Sequence, residues 1–199
     1  GNGAAFDNGA DAIRTALSAH RASGTTRSVI SLVSGDHASL VDSLSTIAEL
    51  AASDPLVLGS HLEGPFLHQS FKGAHSPAVL RNPTTAEIDD LLAAANGTLR
   101  QITIAPELDG ALAAIEQLSA AGVTVAIGHT SADYDETLAA IDAGARLLTH
   151  TFNAMHGIHH REPGPIAAAI SRESVILEVI NDGVHVHPDV VAMLFASAP

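Results

Sequence analysis

Apolar and polar positions along this chain fall into two alternating textures. Short runs rich in β-branched residues (Ser28–Val33, Leu56–His61, Gln101–Ala105, Thr124–Gly128, Arg146–Thr149 and Val175–Ile180) read as strands. Between them lie longer Ala- and Leu-rich runs at Gly9–Ser23, Ala38–Ala52, Thr85–Ala94, Gly110–Ala121, Asp133–Ala143, Gly164–Ser171 and Pro188–Ala196. There apolar residues recur every three or four positions, as at Ile13 and Leu17 or at Leu112, Ile115 and Leu118, which predicts helices. Several of these runs stop at glycine, as in Ala121-Gly122 and Ala143-Gly144, where helices commonly close.

A helix after each strand predicts parallel βαβ units. Six such units in series, without a Rossmann glycine fingerprint, favour a (β/α)8 TIM barrel over a doubly wound sheet. The fold class expected is therefore α/β, a partial barrel of the metal-dependent hydrolase type with about six β/α units. Residues 1–199 would form one incomplete catalytic domain, because a whole barrel takes ~250 residues. The start at Gly1-Asn2-Gly3 and the stop at Ser197-Ala198-Pro199 straight after a helical pattern raise the same expectation of a fragment. Leu62–Pro83 is a long excursion after one strand, the kind of loop that carries function on a barrel.

Composition narrows the partners. At 199 residues and 46% hydrophobic the chain can bury a sizeable core, yet no apolar stretch approaches the ~20 residues of a membrane span. No secretory leader is expected from its first residues. Without cysteine there are no disulfides, thiolate ligands or cysteine nucleophile, which fits a cytoplasmic setting. The formal charge of −13 makes general nucleic-acid binding a poor fit, so neither nucleic acid nor membrane is expected as a partner. An anionic ligand would need local donors set against the overall field.

In a parallel barrel, chemistry projects from the carboxyl ends of the strands. Here those ends read His61-Leu62-Glu63-Gly64-Pro65, Gly128-His129-Thr130, His150-Thr151-Phe152-Asn153 and Asn181-Asp182-Gly183-Val184-His185. Any one of these histidines could merely satisfy hydrogen bonds at a rim. Glu63, His129 and His150 together offer a carboxylate and two imidazoles, a set that leaves a fourth tetrahedral position open on a catalytic divalent metal. Zinc is the first candidate, with iron, cobalt or manganese also admitted. His61, two residues before Glu63, shares its face of the strand but lies deeper, in the core or behind the ligands.

Six segments, in order, resemble the N-acetylglucosamine-6-phosphate deacetylase family of the amidohydrolase superfamily. They are Leu62–Phe66, Lys72-Gly73-Ala74-His75, Ile127–Thr130, Thr149–Met155, Arg161-Glu162-Pro163-Gly164 and Asp182–Pro188. The resemblance implies that Glu63, His129 and His150 hold the metal. It implies that His75 is catalytic, contacting substrate and polarising the acetyl carbonyl. Asn153, Ala154, Arg161 and His185 would bind the amino-sugar phosphate, with Arg161 reaching the neighbouring site of a homodimer. The implied reaction is deacetylation of N-acetylglucosamine 6-phosphate to glucosamine 6-phosphate and acetate.

Two family elements have no match here: a first barrel strand, and a catalytic aspartate that would serve as general base. Asp182 is not promoted to that role, and Glu107 in the family-like Thr103–Glu107 stretch is kept structural. Lys72 is expected to be solvated, His156, His159 and His160 to form a polar loop, and His187 to border the last helix. The rival readings are a hydrolase for another N-acyl sugar phosphate or a cyclic amide, and a non-catalytic metal- or sugar-phosphate-binding remnant.

Overall fold

A computed structural model describes Gly3, Ala5, Phe6 and residues 8–197. Gly1 and Asn2 of the glycine-rich start, and Ala198 and Pro199 at the other end, lie outside the described residues. A leading helix α1 (Gly9–Ala22) is followed by six strand–helix pairs: β1 (Ser28–Leu32) with α2 (His37–Ser53), β2 (Val57–Glu63) with α3 (Thr85–Ala95), β3 (Leu99–Ile104) with α4 (Ala111–Ala120), β4 (Thr124–Ile127) with α5 (Tyr134–Ala143), β5 (Leu147–Leu148) with α6 (Gly164–Ile170), and β6 (Ile176–Leu177) with α7 (Pro188–Ser197). Every element expected from the sequence is present, with its ends moved by a few residues at most. The addition is a single 3-10 turn, Gln69–Phe71, inside the long Leu62–Pro83 excursion.

The six strands form one parallel sheet in the order in which they occur along the chain. A doubly wound sheet would reverse its strand order at a switch point, and this one never does. The arrangement is that of a barrel wall, left open because β1 and β6 do not pair with each other among the described residues.

Alternation along the strands separates the two faces. Ile30 and Leu32, Ile102 and Ile104, and Val125 and Ile127 are buried in the core that fills the space between sheet and helices. The helices contribute Leu40, Leu44 and Ile47 of α2, Ile88 and Leu91 of α3, and Ile115 and Leu118 of α4. Their starts are fixed locally. Asp36 and Thr84 accept the Ser39 and Glu87 amide hydrogens, and Asp133 and Glu136 form a reciprocal capping box at α5.

One irregularity decides which way the site residues point. Val57 and Leu62 are both in the core although five positions apart, which strict alternation along a strand forbids. The register of β2 shifts against both neighbours around Gly59 and Ser60, the signature of a bulge. Gly59 has φ +137, and a Cβ there would lie 2.0 Å from the Thr98 carbonyl oxygen. After the bulge Leu62 returns to the core, so His61 and Glu63 face the interior of the barrel. Replacing Gly59 with Ala is expected to cost about 1–3 kcal/mol from backbone strain alone, with the clash added. Urea unfolding checks it, and an unchanged midpoint would show that the bulge is not needed.

Candidate metal centre

The rim of the sheet gathers its polar residues from three strands. Glu63 ends β2, His129 lies two residues beyond β4, and His150 lies two beyond β5. Gly128 lets these strands draw together, since a Cβ there would sit 2.9 Å from both the Thr103 methyl and the Thr149 Cβ. His129 and His150 both take left-handed backbone, with φ +48 and +32. Such angles are uncommon outside glycine and cluster where surrounding contacts enforce them. Here they turn both imidazoles back over the barrel interior.

The three side chains converge on one point. Glu63 Oε1 lies 3.1 Å from His129 Nε2 and 3.3 Å from His150 Nε2, and the two Nε2 atoms are 3.0 Å apart. Each ring is oriented through its other nitrogen. His129 Nδ1 donates to the Phe71 carbonyl at 2.8 Å, and His150 Nδ1 donates to the Asn153 carbonyl at 3.1 Å. In the tautomers that cation binding requires, with only the Nδ1 atoms protonated, both rings aim an Nε2 lone pair at the other and at a carboxylate oxygen. Three lone pairs at such separations repel unless a cation lies among them. The donor set therefore fits a divalent metal, and Glu63, His129 and His150 are the residues that could hold it.

His75 is the fourth member. It is buried, and its Nδ1 accepts the Ser34 amide hydrogen at 3.3 Å. That contact leaves the proton on Nε2, which faces Glu63 Oε2 at 3.8 Å. His75 thus presents a hydrogen-bond donor to the open side of the cluster. Ser34, not singled out in the sequence, also donates its hydroxyl to the Glu63 carbonyl at 3.1 Å, so one residue holds both groups. Only a lone serine one turn past a strand marks it in sequence, a pattern too common to read. His61 bonds Ser31 at 3.0 Å and Thr103 at 3.1 Å, tying β1, β2 and β3 together beneath Glu63.

The other expected residues divide. Asn153 and Ala154 stand beside the cluster: their carbonyls accept from His150 Nδ1 and the Thr130 amide, and the Asn153 side-chain amide donates to the His150 carbonyl at 3.4 Å. Arg161 and His185 do not join it. Arg161 is exposed and hydrogen-bonds His160 rather than Glu162, on the edge of a cleft of about 850 Å³ formed with Ser131, Tyr134, His156 and Glu162. His185 pairs at 2.7 Å with Asp182, whose carboxyl is pulled down to about 2 by the His185 and Val184 backbone amides. Asp182 is thereby committed to His185 and not to the cluster. His187 accepts the Asp189 amide hydrogen at the start of α7, and Lys72 is half-buried, its ammonium donating to the Gly73 carbonyl at 3.2 Å.

No family model matches the chain. Crystal structures of N-acetyl-D-glucosamine-6-phosphate deacetylase do match. The enzyme of Mycobacterium smegmatis superposes with a TM-score of 0.96 at 46% identity, over 99% of this chain and 52% of its own. That of Thermotoga maritima gives 0.81 at 28% identity, over 88% and 47%. Fold and rim together define a metal-dependent amidohydrolase barrel, present here in part. Among curated relatives, an N-acetylgalactosamine-6-phosphate deacetylase of Escherichia coli O157:H7 is 48% identical over 132 residues, 66% of this chain and 35% of that protein. An N-acetylglucosamine-6-phosphate deacetylase of Vibrio furnissii is 41% identical over a segment of the same length. Over the segment it spans, about half of the solved structures, the chain belongs to the N-acetylglucosamine-6-phosphate deacetylase family.

The cluster also sets a pH signature in metal-free protein. Hydrogen bonds from His129, then His150, hold the Glu63 carboxyl far below its ordinary 4.5 against the opposing effect of burial. Burial works against a charged His150, but the Glu63 hydrogen bond and charge outweigh it and raise that ring above 6.5. The stability Glu63 adds is present above 4.5 and lost as pH falls through its depressed value; that of His150 is full below 6.5 and lost as pH rises through its elevated one. With chelator present, the difference in Tm between wild type and Glu63→Gln is expected to be largest between pH 4.5 and 6.5, shrinking on both sides. A pH-independent difference would refute the coupling.

Proposed function

We propose that this chain carries the metal- and acetyl-binding part of an N-acetylglucosamine-6-phosphate deacetylase, which yields glucosamine 6-phosphate and acetate. The observation that carries the reading is the convergence of His129 Nε2, His150 Nε2 and Glu63 Oε1 beside the Nε2–H of His75. A divalent cation at that point, zinc first with iron, cobalt or manganese compatible, lowers the pKa of water to about 7 and polarises a carbonyl. His75 donates from Nε2 to the acetyl oxygen as negative charge grows there. Its tautomer, fixed by the Ser34 amide, keeps that donor in place throughout. Glu63, His129 and His150 are locked by contacts that need no reorganisation when substrate arrives.

Recognition of the phosphate falls to Arg161, whose planar fork suits a phosphomonoester that the net charge of −13 would otherwise repel. Its exposed position at the edge of a cleft favours service to the site of a second copy, in a cytoplasmic homodimer. Asn153, Ala154 and His185 complete the sugar side. A second reading is favoured by two relatives: the E. coli O157:H7 and Shewanella proteins are named for the galactosamine epimer, so the sugar named differs at one hydroxyl between relatives.

Replacing His129 or His150 with Ala is expected to remove metal and activity together; a variant that keeps both would sink the assignment. Assay of N-acetylglucosamine with and without its 6-phosphate, and of the galactosamine epimer, tests the substrate. Loss of the phosphate is expected to cost about 1.5–3 kcal/mol, more than tenfold in kcat/KM, and equal rates on the free sugar would exclude a phosphate site.

A further inference from the structure

We infer that Glu107 is a positioning residue for His129, acting through the turn that follows it; the inference rests on the reading of Glu63, His129 and His150 as cation ligands. The Thr103–Glu107 stretch follows β3, and nothing in its sequence marks Glu107 as more than structural. In the fold its carboxylate reaches across to the neighbouring strand end. Oε1 accepts the Ser131 amide hydrogen at 2.6 Å and the Ser131 hydroxyl at 3.1 Å, and Oε2 accepts the Thr130 hydroxyl at 2.5 Å. The Thr130 hydroxyl oxygen accepts the Ala132 amide hydrogen at 2.9 Å in turn, and Thr130 and Ala132 are fully buried.

This turn is where the ligand geometry is decided. His129 holds φ +48, a left-handed backbone that costs a non-glycine residue roughly 1–2 kcal/mol. Released from it, the chain would rotate the Cα–Cβ bond and carry Nε2 away from Glu63 and His150. Two further bonds brace the segment: the His68 amide donates to the His129 carbonyl at 2.9 Å, and the Thr130 amide donates to the Ala154 carbonyl at 3.1 Å. Both tie the segment to other connections, the long β2–α3 excursion and the loop after β5. Glu107 supplies the only carboxylate bonding Thr130 and Ser131 among the described residues, and its three bonds tie both residues of the turn to the end of β3. It touches neither ring nor cation position, so its influence runs through the backbone.

The distinguishing variant is Glu107→Gln beside Glu107→Ala. A glutamine keeps the shape: its oxygen accepts from Ser131 and its amide donates to the Thr130 hydroxyl, whereas alanine removes every bond. Cobalt(II) affinity, measured by competition with a chelator, and the visible spectrum of the cobalt protein report the ligands without reference to turnover. Glu107→Ala is expected to bind cobalt about 10–100-fold more weakly, with an altered spectrum, while Glu107→Gln stays within a few-fold of wild type. Wild-type affinity and spectrum in Glu107→Ala, or a Glu107→Gln as weak as Glu107→Ala, would overturn the proposal. Should Glu107→Ala fail to fold, the near-isosteric Thr130→Val carries the test, with weakened cobalt binding expected and unchanged binding overturning it. A wild-type protein that binds no cobalt, or a His129→Ala that binds it equally well, overturns the ligand reading and this one with it. Loss in His129→Ala with none in Glu107→Ala overturns the positioning role alone.

Discussion

Two imidazole nitrogens 3.0 Å apart, each with its lone pair turned inward and a carboxylate oxygen beside them, form an arrangement that electrostatics opposes. It persists because the opposite end of each ring is tied to a backbone carbonyl, and because the backbone carrying each ring is folded into a conformation it would not choose in isolation. The repulsion among the donors and the strain in the turns share one resolution, a cation at the point of convergence. In metal-free protein hydrogen bonds from His129, then His150, hold the Glu63 carboxyl down, and the bond to Glu63 raises the His150 ring against its burial.

The barrel wall supplies the rigidity this needs. Its strands pair in sequence order, so their carboxyl ends form one continuous rim, and neighbouring ligands arrive from separate strands rather than one loop. The bulge at Gly59 sets Glu63 on the inner face while leaving Val57 and Leu62 in the core. Beneath the ligands, Ser31, His61, Thr103 and Thr149 join hydroxyls and a ring across the inner face, so the polar layer under the site is satisfied from within.

The sides proposed to face the acetyl group and the phosphate differ in kind. His75 is buried, with its tautomer set by a single amide, and belongs to the same rigid unit as the ligands. Arg161 and His185 sit on exposed loops with local partners, His160 and Asp182. Groups that stabilise developing charge gain from being fixed in advance.

By itself the sequence determined the alternation of strands and helices, the parallel order and the positions of Glu63, His129 and His150, because apolar periodicity and strand ends are local properties. It marked His75, Asn153, Ala154, Arg161 and His185 through resemblance, but could not say which of them meet. Only the tertiary structure decided that His75 lies beside the ligands, that the Asn153 and Ala154 carbonyls bond His150 and Thr130, and that Arg161 and His185 stand apart. The same holds for Ser34 and Glu107, whose partners lie 41 and 24 residues away. Hydrogen bonds between strand ends depend on register and on the bulge at Gly59, and no window along the chain contains both.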